Sequence, residues 1–495
     1  MVGQLRAWIA RVRTAGFCRI FGVPVVLCLV PMLSGCLTAD RPDLGIEIPW
    51  AYRAAPRAPA NAPPKLDWWR GFRSKELTDL IEEAYAANFD IEAAIARIIQ
   101  ADAASKIAGA PLLPNVDLLA NATRTRASQA NVSNTGSGSG GRSERVSYTV
   151  ALNASYELDF WGKNRAISEA AQENAIASRF DRDVIAVTTV VSVATAYFLV
   201  LSSQDRLRIA RQNVDAANRV LTLIKQRFDA GTASALEVAQ QETLLYSQQA
   251  AIPGLDQTLR QNIATLAVLV GRAPAFMKVR GGSLFRLGIP RVTAGLPSEL
   301  LFQRPDIRSA EAQLVSADAS VVAARAAFFP SITLTGEYGV TSAALKNLFT
   351  PQAIFYQIAA NLMQPVFDGF KLEGALEQAK GRQLELLSVY RKAIVSAFGD
   401  VEKALIAVAD SAEQERLQQQ TVTASQRAFD IAETRLREGT VDLTTVLVAQ
   451  QALFTAQDNR AQARLARMQA ALSLFQALGG GWLPPPPKGI ANASQ

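Results

Sequence analysis

The sequence predicts a mainly α-helical protein with a small β part, in which a helix-strand-strand-helix unit occurs twice. Three observations support this fold class. Motifs of the first half of the chain recur in the second half, two very long stretches lack proline, and four short segments alternate apolar with polar residues. Long stretches without helix breakers indicate helices, and strict alternation indicates half-buried strands.

The first 35 residues have the pattern of a targeting segment that export would remove. Four arginines without any acidic residue precede an apolar stretch at 20–33. Leu33-Ser34-Gly35-Cys36 then resembles the lipobox of bacterial lipoproteins, which implies that Cys36 is acylated and becomes the mature N-terminus. Two or three acyl chains would hold stably in a membrane, and Leu37 in place of Asp favours the outer membrane. A plain signal peptide or an uncleaved anchor is the alternative.

Composition argues against an enzyme and against a nucleic-acid-binding protein. The chain contains no histidine, and its three cysteines lie within or directly after the targeting segment. The commonest general base and metal ligand is therefore missing, together with any thiol nucleophile. Loss of residues 1–35 lowers the formal charge from +7 to +3, which removes a strongly basic character. We expect no catalytic residue, no metal site and no cofactor.

The internal repeat divides the mature chain into two copies of one unit. The motif at 88–91 corresponds to the motif at 304–307, and each opens an alanine-rich stretch that a proline closes. Two further pairs of landmarks share one offset: Gly231 with Gly439, and Gly271 with Gly479. Each copy reads helix, strand, strand, very long helix, helix. The copies are predicted over 88–271 and 304–479.

Each copy contains a helix much longer than a globular domain needs. Residues 163–229 contain neither glycine nor proline, and a helix of that length would measure on the order of 100 Å. The matching stretch, 371–438, contains three glycines but no proline, so two coiled-coil-like rods are expected. Returning helices are predicted over 233–270 and 441–478, and Pro253-Gly254 predicts a break in the first of them.

One stretch inside the first long helix allows a second interpretation. Residues 184–204 carry no charge and are long enough to span a bilayer. The matching part of the second copy contains Asp400, Glu402 and Lys403, which a lipid-facing helix tolerates only at high cost. A buried helix is therefore the favoured interpretation.

Strands are predicted at about 115–128, 145–160, 331–341 and 353–365. The clearest signal runs from Val146 to Phe160, where apolar residues alternate with mainly polar ones. Strands of this length, apolar on one face and polar on the other, suit a membrane barrel. A sheet packed on a soluble core is the alternative.

The number of strands bears on the oligomeric state. Four strands cannot close a barrel, and an open sheet edge is not viable in lipid, so a membrane sheet of this kind requires several chains. Two chains would give eight strands, whose barrel is filled by side chains. Three chains would leave room for water, so a trimer is preferred for a channel, although geometry alone allows four or more chains.

These features together resemble the TolC-type outer membrane factors, and most closely their NodT-type lipoprotein branch. The resemblance rests on Cys36, on the duplicated unit and on the segment from Gly295 to Ile307. The turns Arg227–Thr232 and Arg435–Thr440, which share the pattern Arg-x-x-x-Gly-Thr, and Ala449-Gln450 add to it. It covers nearly all of the mature chain.

The resemblance implies a homotrimer whose twelve-stranded outer-membrane β-barrel continues into a long periplasmic α-helical barrel. It also implies a lipid anchor and equatorial segment at 36–87, an equatorial linker at 272–303 and a C-terminal tail at 480–495. A periplasmic adaptor and an inner-membrane pump are the implied partners. The adaptor would dock at tips that contain Arg227, Gly231, Thr232, Arg435, Gly439 and Thr440.

A periplasmic gate lined by carboxylates is a further implication. Relatives frequently carry Asp before the Ala-Gln pair, whereas this chain has Val448, so Asp442 is the nearest candidate for an acidic ring. An acidic residue at a helix N-terminus also has a purely structural explanation, as do glycines at helix ends.

The predicted function is the outer-membrane channel of a tripartite efflux system, a passive exit duct for solutes that the pump and adaptor deliver. Two alternatives stay open at this point. One is a duct for secreted polypeptides, as in type I secretion, and the other is a lipid-anchored periplasmic coiled-coil scaffold without a lumen.

Overall fold

A computed structural model of the chain describes residues 45–54, 67–126, 144–290 and 295–482. Within these ranges the chain forms eight α-helices and four β-strands, besides short 3₁₀ turns. In chain order these elements are α1 (Lys75–Ala87), α2 (Phe89–Gly109), β1 (Asn115–Arg126), β2 (Glu144–Leu158), α3 (Lys163–Asp229), α4 (Ala235–Leu269), α5 (Pro297–Gln303), α6 (Pro305–Ala326), β3 (Ser331–Ser342), β4 (Ile354–Met363), α7 (Lys371–Arg437) and α8 (Leu443–Ala477). The predicted fold class is confirmed.

The elements fall into two series of the same order and nearly the same size. α3 and α7 each contain 67 residues, and α4 and α8 each contain 35. Side-chain caps begin several helices: Asn88 accepts from the backbone N–H groups of Asp90 and Ile91, and Ser234 forms a capping box with Glu237. Local sequence signals therefore determine where these helices start.

The predicted break at Pro253-Gly254 is wrong, because α4 continues through both residues. A proline inside a helix removes one backbone hydrogen bond and disfavours the helical conformation. Pro253 and Gly254 lie on an exposed face, so water can satisfy the carbonyl that loses its partner. The other face of α4 packs along α3, and this packing keeps the helix continuous.

The four strands form one antiparallel sheet in the order β1-β2-β3-β4. Leu152 lies opposite Leu118 on one side and Tyr338 on the other, and Tyr338 lies opposite Tyr356. These four residues share the apolar face, and all are exposed. No described α-helix packs extensively against the sheet, so the alternative of a soluble core beneath it does not hold. Within the described residues, β1 and β4 each keep one unpaired edge.

The largest hydrophobic core surrounds the middle of α3. Val193 and Phe198 are fully buried there, among residues of α1, α8 and the segment that links the two copies. Trp68 stacks on Phe475 with ring centroids 4.4 Å apart. Of the described helices, only α3 has the length and composition to cross a membrane, and its most apolar window is 61% buried. Burial within the protein thus accounts for the uncharged stretch at 184–204.

Candidate functional site

The turn that joins α3 to α4 is the first of two predicted docking tips. The chain leaves α3 through Gly231, whose φ of 74° favours glycine. The backbone N–H of Gly231 donates to the Phe228 carbonyl at 2.9 Å, and that of Thr232 donates to the Arg227 carbonyl at 2.8 Å. This pair of bonds is the Schellman pattern of a helix C-terminus. The Thr232 hydroxyl also donates to the Arg227 carbonyl, at 3.0 Å.

The turn between α7 and α8 repeats this geometry. Gly439 has a φ of 73°, and its backbone N–H donates to the Leu436 carbonyl at 3.1 Å. The backbone N–H and the hydroxyl of Thr440 both donate to the Arg435 carbonyl, at 2.9 and 3.2 Å. The two Arg-x-x-x-Gly-Thr motifs therefore build two tips of one conformation. The structural role expected of glycines at helix ends applies to both.

The two tips are joined to each other rather than independent. The Arg227 guanidinium donates to the backbone carbonyl of Leu436 at 3.0 Å, which ties the end of α3 to the end of α7. Apolar side chains from α3, α7 and α8 form a buried cluster beneath this contact: Val220, Ile224, Phe429, Leu436, Leu443, Val446, Leu453 and Phe454. The sequence placed Arg227 at the tip but offered no signal for its partner.

Asp442, the predicted gate residue, is exposed and caps the N-terminus of α8. Its carboxylate accepts hydrogen bonds from the hydroxyl of Thr445 at 2.7 Å and from the backbone N–H of Thr445 at 2.9 Å. These two bonds, the hydroxyl's first, lower the pKa of Asp442 below its ordinary value. The carboxylate is therefore ionised at neutral pH. It has the structural role of a helix cap, which does not depend on the predicted role in a gate.

The Ala-Gln motif at 449–450 also has a structural partner. Gln450 and Gln241 are both fully buried, and the amide Nε2 of Gln241 lies 3.4 Å from Oε1 of Gln450. The same Nε2 donates to the Ala217 carbonyl at 2.9 Å. Gln241 therefore connects α4 with α3 and α8 behind the tips.

Sequence reasoning missed the polar contacts that attach the linker between the two copies. Glu76 of α1 accepts a hydrogen bond from the backbone N–H of Arg280 at 2.6 Å. Asp205 of α3 is fully buried and accepts from the Ser283 hydroxyl at 3.1 Å and from the Leu284 backbone N–H at 2.9 Å. The available signal for Asp205 was its position directly after the uncharged stretch at 184–204.

Arg464 of α8 completes this attachment. Its guanidinium donates to the carbonyls of Leu284 and Leu287, at 3.2 and 2.6 Å, and pairs with Glu415 of α7 at 3.2 Å. Burial lowers the pKa of Arg464, although Glu415 opposes that effect. The linker therefore rests on side chains from both copies.

The predicted lipidation residue, Cys36, lies outside the described residues, as does most of the tail at 480–495. The segment 45–54 lies against α7, where Glu402 accepts from the backbone N–H groups of Arg53 and Ala54 at 3.1 and 2.8 Å. At the other end of the chain, the indole of Trp482 donates to Asp183 at 2.9 Å. Among the described residues, the segment nearest the N-terminus therefore contacts α7, and the residue nearest the C-terminus contacts α3. Among the described residues, no group of acidic residues could hold a metal ion.

Comparison with known proteins identifies the family. The family model of the outer membrane efflux protein matches residues 80–272 and 296–480. The chain belongs to the outer membrane efflux protein family. The predicted resemblance to TolC-type factors of the NodT-type branch is thereby confirmed.

Curated members of this family are similar over almost their whole length. The pyoverdine export outer membrane protein OpmQ of Pseudomonas aeruginosa is 41% identical over 458 residues, which cover 91% of this chain and 95% of that protein. The toluene efflux pump outer membrane protein TtgF of Pseudomonas putida is 32% identical, with 92% and 96% covered. The solved outer-membrane channel OprN is 25% identical with a TM-score of 0.84, and 91% and 100% of the two chains are covered.

Membership determines the general function of this efflux protein. It is an outer-membrane channel component of efflux pumps and not an enzyme. The predicted outer-membrane location is confirmed, and so is its place in a pump that includes further components. The exposed apolar face of the sheet agrees with this location, because that face suits lipid.

Proposed function

We propose that this efflux protein works as a lipid-anchored homotrimer, whose three chains pool their strands into one barrel. The observation that carries this proposal is that β1 and β4 each have one edge without a partner strand among the described residues. Unpaired backbone groups are not tolerated in lipid, so β1 of one chain must pair with β4 of the next. Three chains give twelve strands and a barrel wide enough for water.

The repeat itself supports the same assembly. α6 packs against both α3 and α7, whereas α2 packs extensively only against α3 among the described long helices. α2 and α3 of the first copy correspond to α6 and α7 of the second copy. The contact between α6 and α3 within one chain should therefore have an equivalent between α2 of one chain and α7 of its neighbour. Apolar side chains are exposed on both surfaces: Ile95 and Ile99 of α2, and Leu384, Val389 and Val395 of α7.

This correspondence specifies a crosslink that tests the trimer. In one chain the Ser309 hydroxyl of α6 donates to Asp181 of α3 at 2.6 Å. The same positions in the other copy are Ala93 and Val389, both exposed in the single chain. Cysteines at these two positions should oxidise to a disulfide between chains. The proposed acylation blocks the thiol of Cys36, and the proposed cleavage removes the other two cysteines. No native thiol should therefore compete with the introduced cysteines for the disulfide.

The expected product on a denaturing gel is a ladder that ends at three chains. A matched control carries Thr222→Cys in place of the Val389 substitution, because Thr222 is exposed on α3 away from the proposed interface. A ladder that ends at two chains, or one that continues past three, would contradict the trimer.

Lipid anchoring rests on Cys36 and has its own measurement. The mature N-terminal peptide should show the mass of a cysteine with two or three acyl chains. Cys36→Ser should abolish that mass while the protein stays in the outer membrane, because the barrel alone holds it there. An unmodified Cys36 in the mature protein would refute the anchor.

The joined tips are the proposed docking surface for a periplasmic adaptor. Both tips are exposed at their Gly-Thr pairs, and Phe228 and Leu236 are exposed beside the first. Thr232→Arg and Thr440→Arg should weaken adaptor binding and lower efflux, whereas Thr222→Arg on the same helical barrel should not. Unchanged adaptor affinity in both tip variants would exclude this surface.

For the cargo, we propose small solutes rather than polypeptides. The observation in favour is that the two curated relatives described above are named for pyoverdine export and toluene efflux. Deletion of the gene should raise sensitivity to small organic compounds or cause a metabolite to accumulate. Loss of a secreted polypeptide from the medium, with unchanged sensitivity, would favour the alternative duct for protein secretion.

A further inference from the structure

Two arginines lie at the outer end of the sheet, the end farthest from α3 and α7. Arg124 and Arg126 belong to β1 and share the apolar face of Leu118, because side chains two residues apart along a strand point to the same side. Glu144 of β2 lies directly opposite Arg126. Both arginines and the glutamate are exposed. A small charged patch therefore follows directly after the apolar surface.

This patch has more positive than negative charge. Arg124 donates from Nε and Nη2 to the two carboxylate oxygens of Glu144, each at 3.0 Å. The two side chains stay 70% and 45% exposed in this ion pair. Among the described residues, Arg126 forms no ion pair of its own. One carboxylate therefore serves two guanidinium groups, and one positive charge remains in excess.

The basic residues of the described strands all lie at this outer end. They are Arg124, Arg126 and Arg145, whereas β3 and β4 contain neither lysine nor arginine. Arg145 lies opposite Thr125, so it points to the other face of the sheet at the same level. Within the described strands, the apolar face thus carries cations at its outer end and none at its inner end.

The length of the apolar surface indicates how deep the patch lies in a membrane. On β2, the apolar residues of this face run from Val146 to Leu158. This run measures about 40 Å along the strand, or ~30 Å in height at a tilt of about 40°, and it covers the apolar band of about 25 Å expected of a barrel. Arg124 lies opposite Val146, and Arg126 lies farther out. Both guanidinium groups therefore lie at the level of lipid headgroups.

The position of the long helices indicates the leaflet. α3 and α7 begin at the other end of the sheet, and the proposed adaptor contact requires these helices to lie in the periplasm. The arginines then face the outer leaflet of the outer membrane, which consists largely of lipopolysaccharide. Its lipid A part carries phosphate groups on glucosamine. Guanidinium groups bind phosphate strongly, because they can donate two parallel hydrogen bonds.

In the proposed trimer, the neighbouring chain adds side chains to the patch. β4 of one chain pairs with β1 of the next, so the connection between β3 and β4 lies beside Arg124 and Arg126 of the next chain. Leu345 and Phe349 of this connection are 62% and 81% exposed, and Lys346 is exposed as well. A cation among apolar side chains suits a lipid that has both phosphate groups and acyl chains.

We propose that Arg124 and Arg126 bind phosphate groups of lipopolysaccharide at the outside of the barrel, and that Glu144 limits this binding because it holds Arg124. The inference rests on the proposed trimer, since the apolar face becomes the outside of a barrel only when the strands close. It concerns the lipid-facing surface and neither the lumen nor the periplasmic tips.

The test is the affinity of the purified full-length protein for bisphosphorylated lipid A, measured by native mass spectrometry in a non-ionic detergent. The double variant Arg124→Gln with Arg126→Gln should bind roughly tenfold more weakly, because charge-assisted hydrogen bonds to phosphate are lost. Glu144→Gln should bind more tightly than the wild type, because it releases Arg124. A misfolded variant would not produce such a gain.

Arg145→Gln is the matched control, because Arg145 lies at the same level on the opposite face. It should leave the affinity unchanged. An equal loss in the control and the double variant, no gain in Glu144→Gln, or equal binding of lipid A without phosphates would overturn the inference. Equal binding of phosphatidylglycerol would overturn the assignment to lipopolysaccharide. Absence of the crosslink between positions 93 and 389 would instead refute the proposed assembly.

Discussion

Arg227 of the first tip donates a hydrogen bond to the backbone carbonyl of Leu436, which lies in the second tip. The contact joins helices that are far apart in sequence, and it lies above the buried apolar cluster shared by α3, α7 and α8. The corresponding arginine of the second copy, Arg435, makes no such contact among the described residues. The two motifs are alike in backbone conformation but differ in the contacts that their arginine side chains make.

This asymmetry gives a first prediction. Arg227→Ala should lower the free energy of unfolding by about 1 kcal/mol, the usual contribution of one hydrogen bond. It should also increase hydrogen exchange of backbone amides at both tips, because the joint between them is lost. Arg435→Ala is the matched control and should leave exchange at the tips unchanged. Equal effects of the two substitutions would show that the contact does not join the tips.

Glycines at two kinds of helix end should differ in their tolerance of alanine. At Gly231 and Gly439 a Cβ would meet open space, so alanine should cost only about 1–2 kcal/mol for the left-handed backbone. At Gly271 and Gly479 a Cβ would overlap the backbone carbonyls of Ala87 and Gln303, so alanine should cost clearly more. Thermal unfolding of the four single variants measures the difference, and equal losses would contradict it.

Two substitutions separate the structural and electrostatic roles of Asp442. Asn is as good a helix cap as Asp, so Asp442→Asn should keep the thermal stability at neutral pH, whereas Asp442→Ala should lower it. If the carboxylate also lines a gate, both variants should change single-channel conductance or ion selectivity. Loss of stability without any change in conductance would leave Asp442 a cap alone.

The pH dependence of this residue follows from the direction of its shift. Hydrogen bonds from Thr445 lower its pKa below the ordinary value of 3.8, so its contribution to stability is present above that value. The contribution is lost only as pH falls through the lowered pKa. Conductance effects that depend on Asp442 should therefore be constant between neutral pH and pH 5.

Two buried tyrosines predict an alkaline transition. Burial raises the pKa of Tyr197 and of Tyr52 to about 12. Ionisation of these phenols does not affect stability below pH 10, and it favours the unfolded chain progressively as pH rises from 10 through 12. Ultraviolet titration should show that these phenols ionise only where the fold is lost. Normal titration of all tyrosines near pH 10 in the folded protein would be inconsistent with this.

The same two tyrosines should respond differently to phenylalanine at neutral pH. The Tyr197 hydroxyl bonds with Ser74 and Glu76, both at 3.1 Å, so Tyr197→Phe should cost about 1 kcal/mol. The Tyr52 hydroxyl is buried without a hydrogen-bond partner in the described part of the chain, so Tyr52→Phe should cost nothing. Unfolding in denaturant measures both.

The limits of a helix could be predicted from the sequence where a single glycine lies directly before or after it. α3 begins directly after Gly162 and ends just before Gly231, and both glycines have a positive φ. Proline was a less reliable signal, because its effect depends on exposure and on packing of the helix around it. Pro253 therefore misled the prediction, since α4 is supported along its length by α3.

Contacts between distant segments could not be predicted. Glu76 holds the linker at Arg280, and Asp205 holds it at Leu284, yet neither pairing follows any period in the sequence. The faces of the strands were predictable because alternation is a local property. The pairing of Asp117 with Asn153 and of Asn153 with Glu337 depends on the register between strands, which single strands do not reveal.

The unpaired edges of β1 and β4 have a consequence for how the channel is made. A single chain with two open edges and an exposed apolar sheet is suited neither to water nor to lipid, so insertion and association must be coupled steps. The rate of channel formation should then rise more steeply than linearly with the amount of chain delivered to the membrane. In cells that synthesise the protein slowly, a larger fraction of the chains would therefore remain unassembled and exposed to periplasmic proteases.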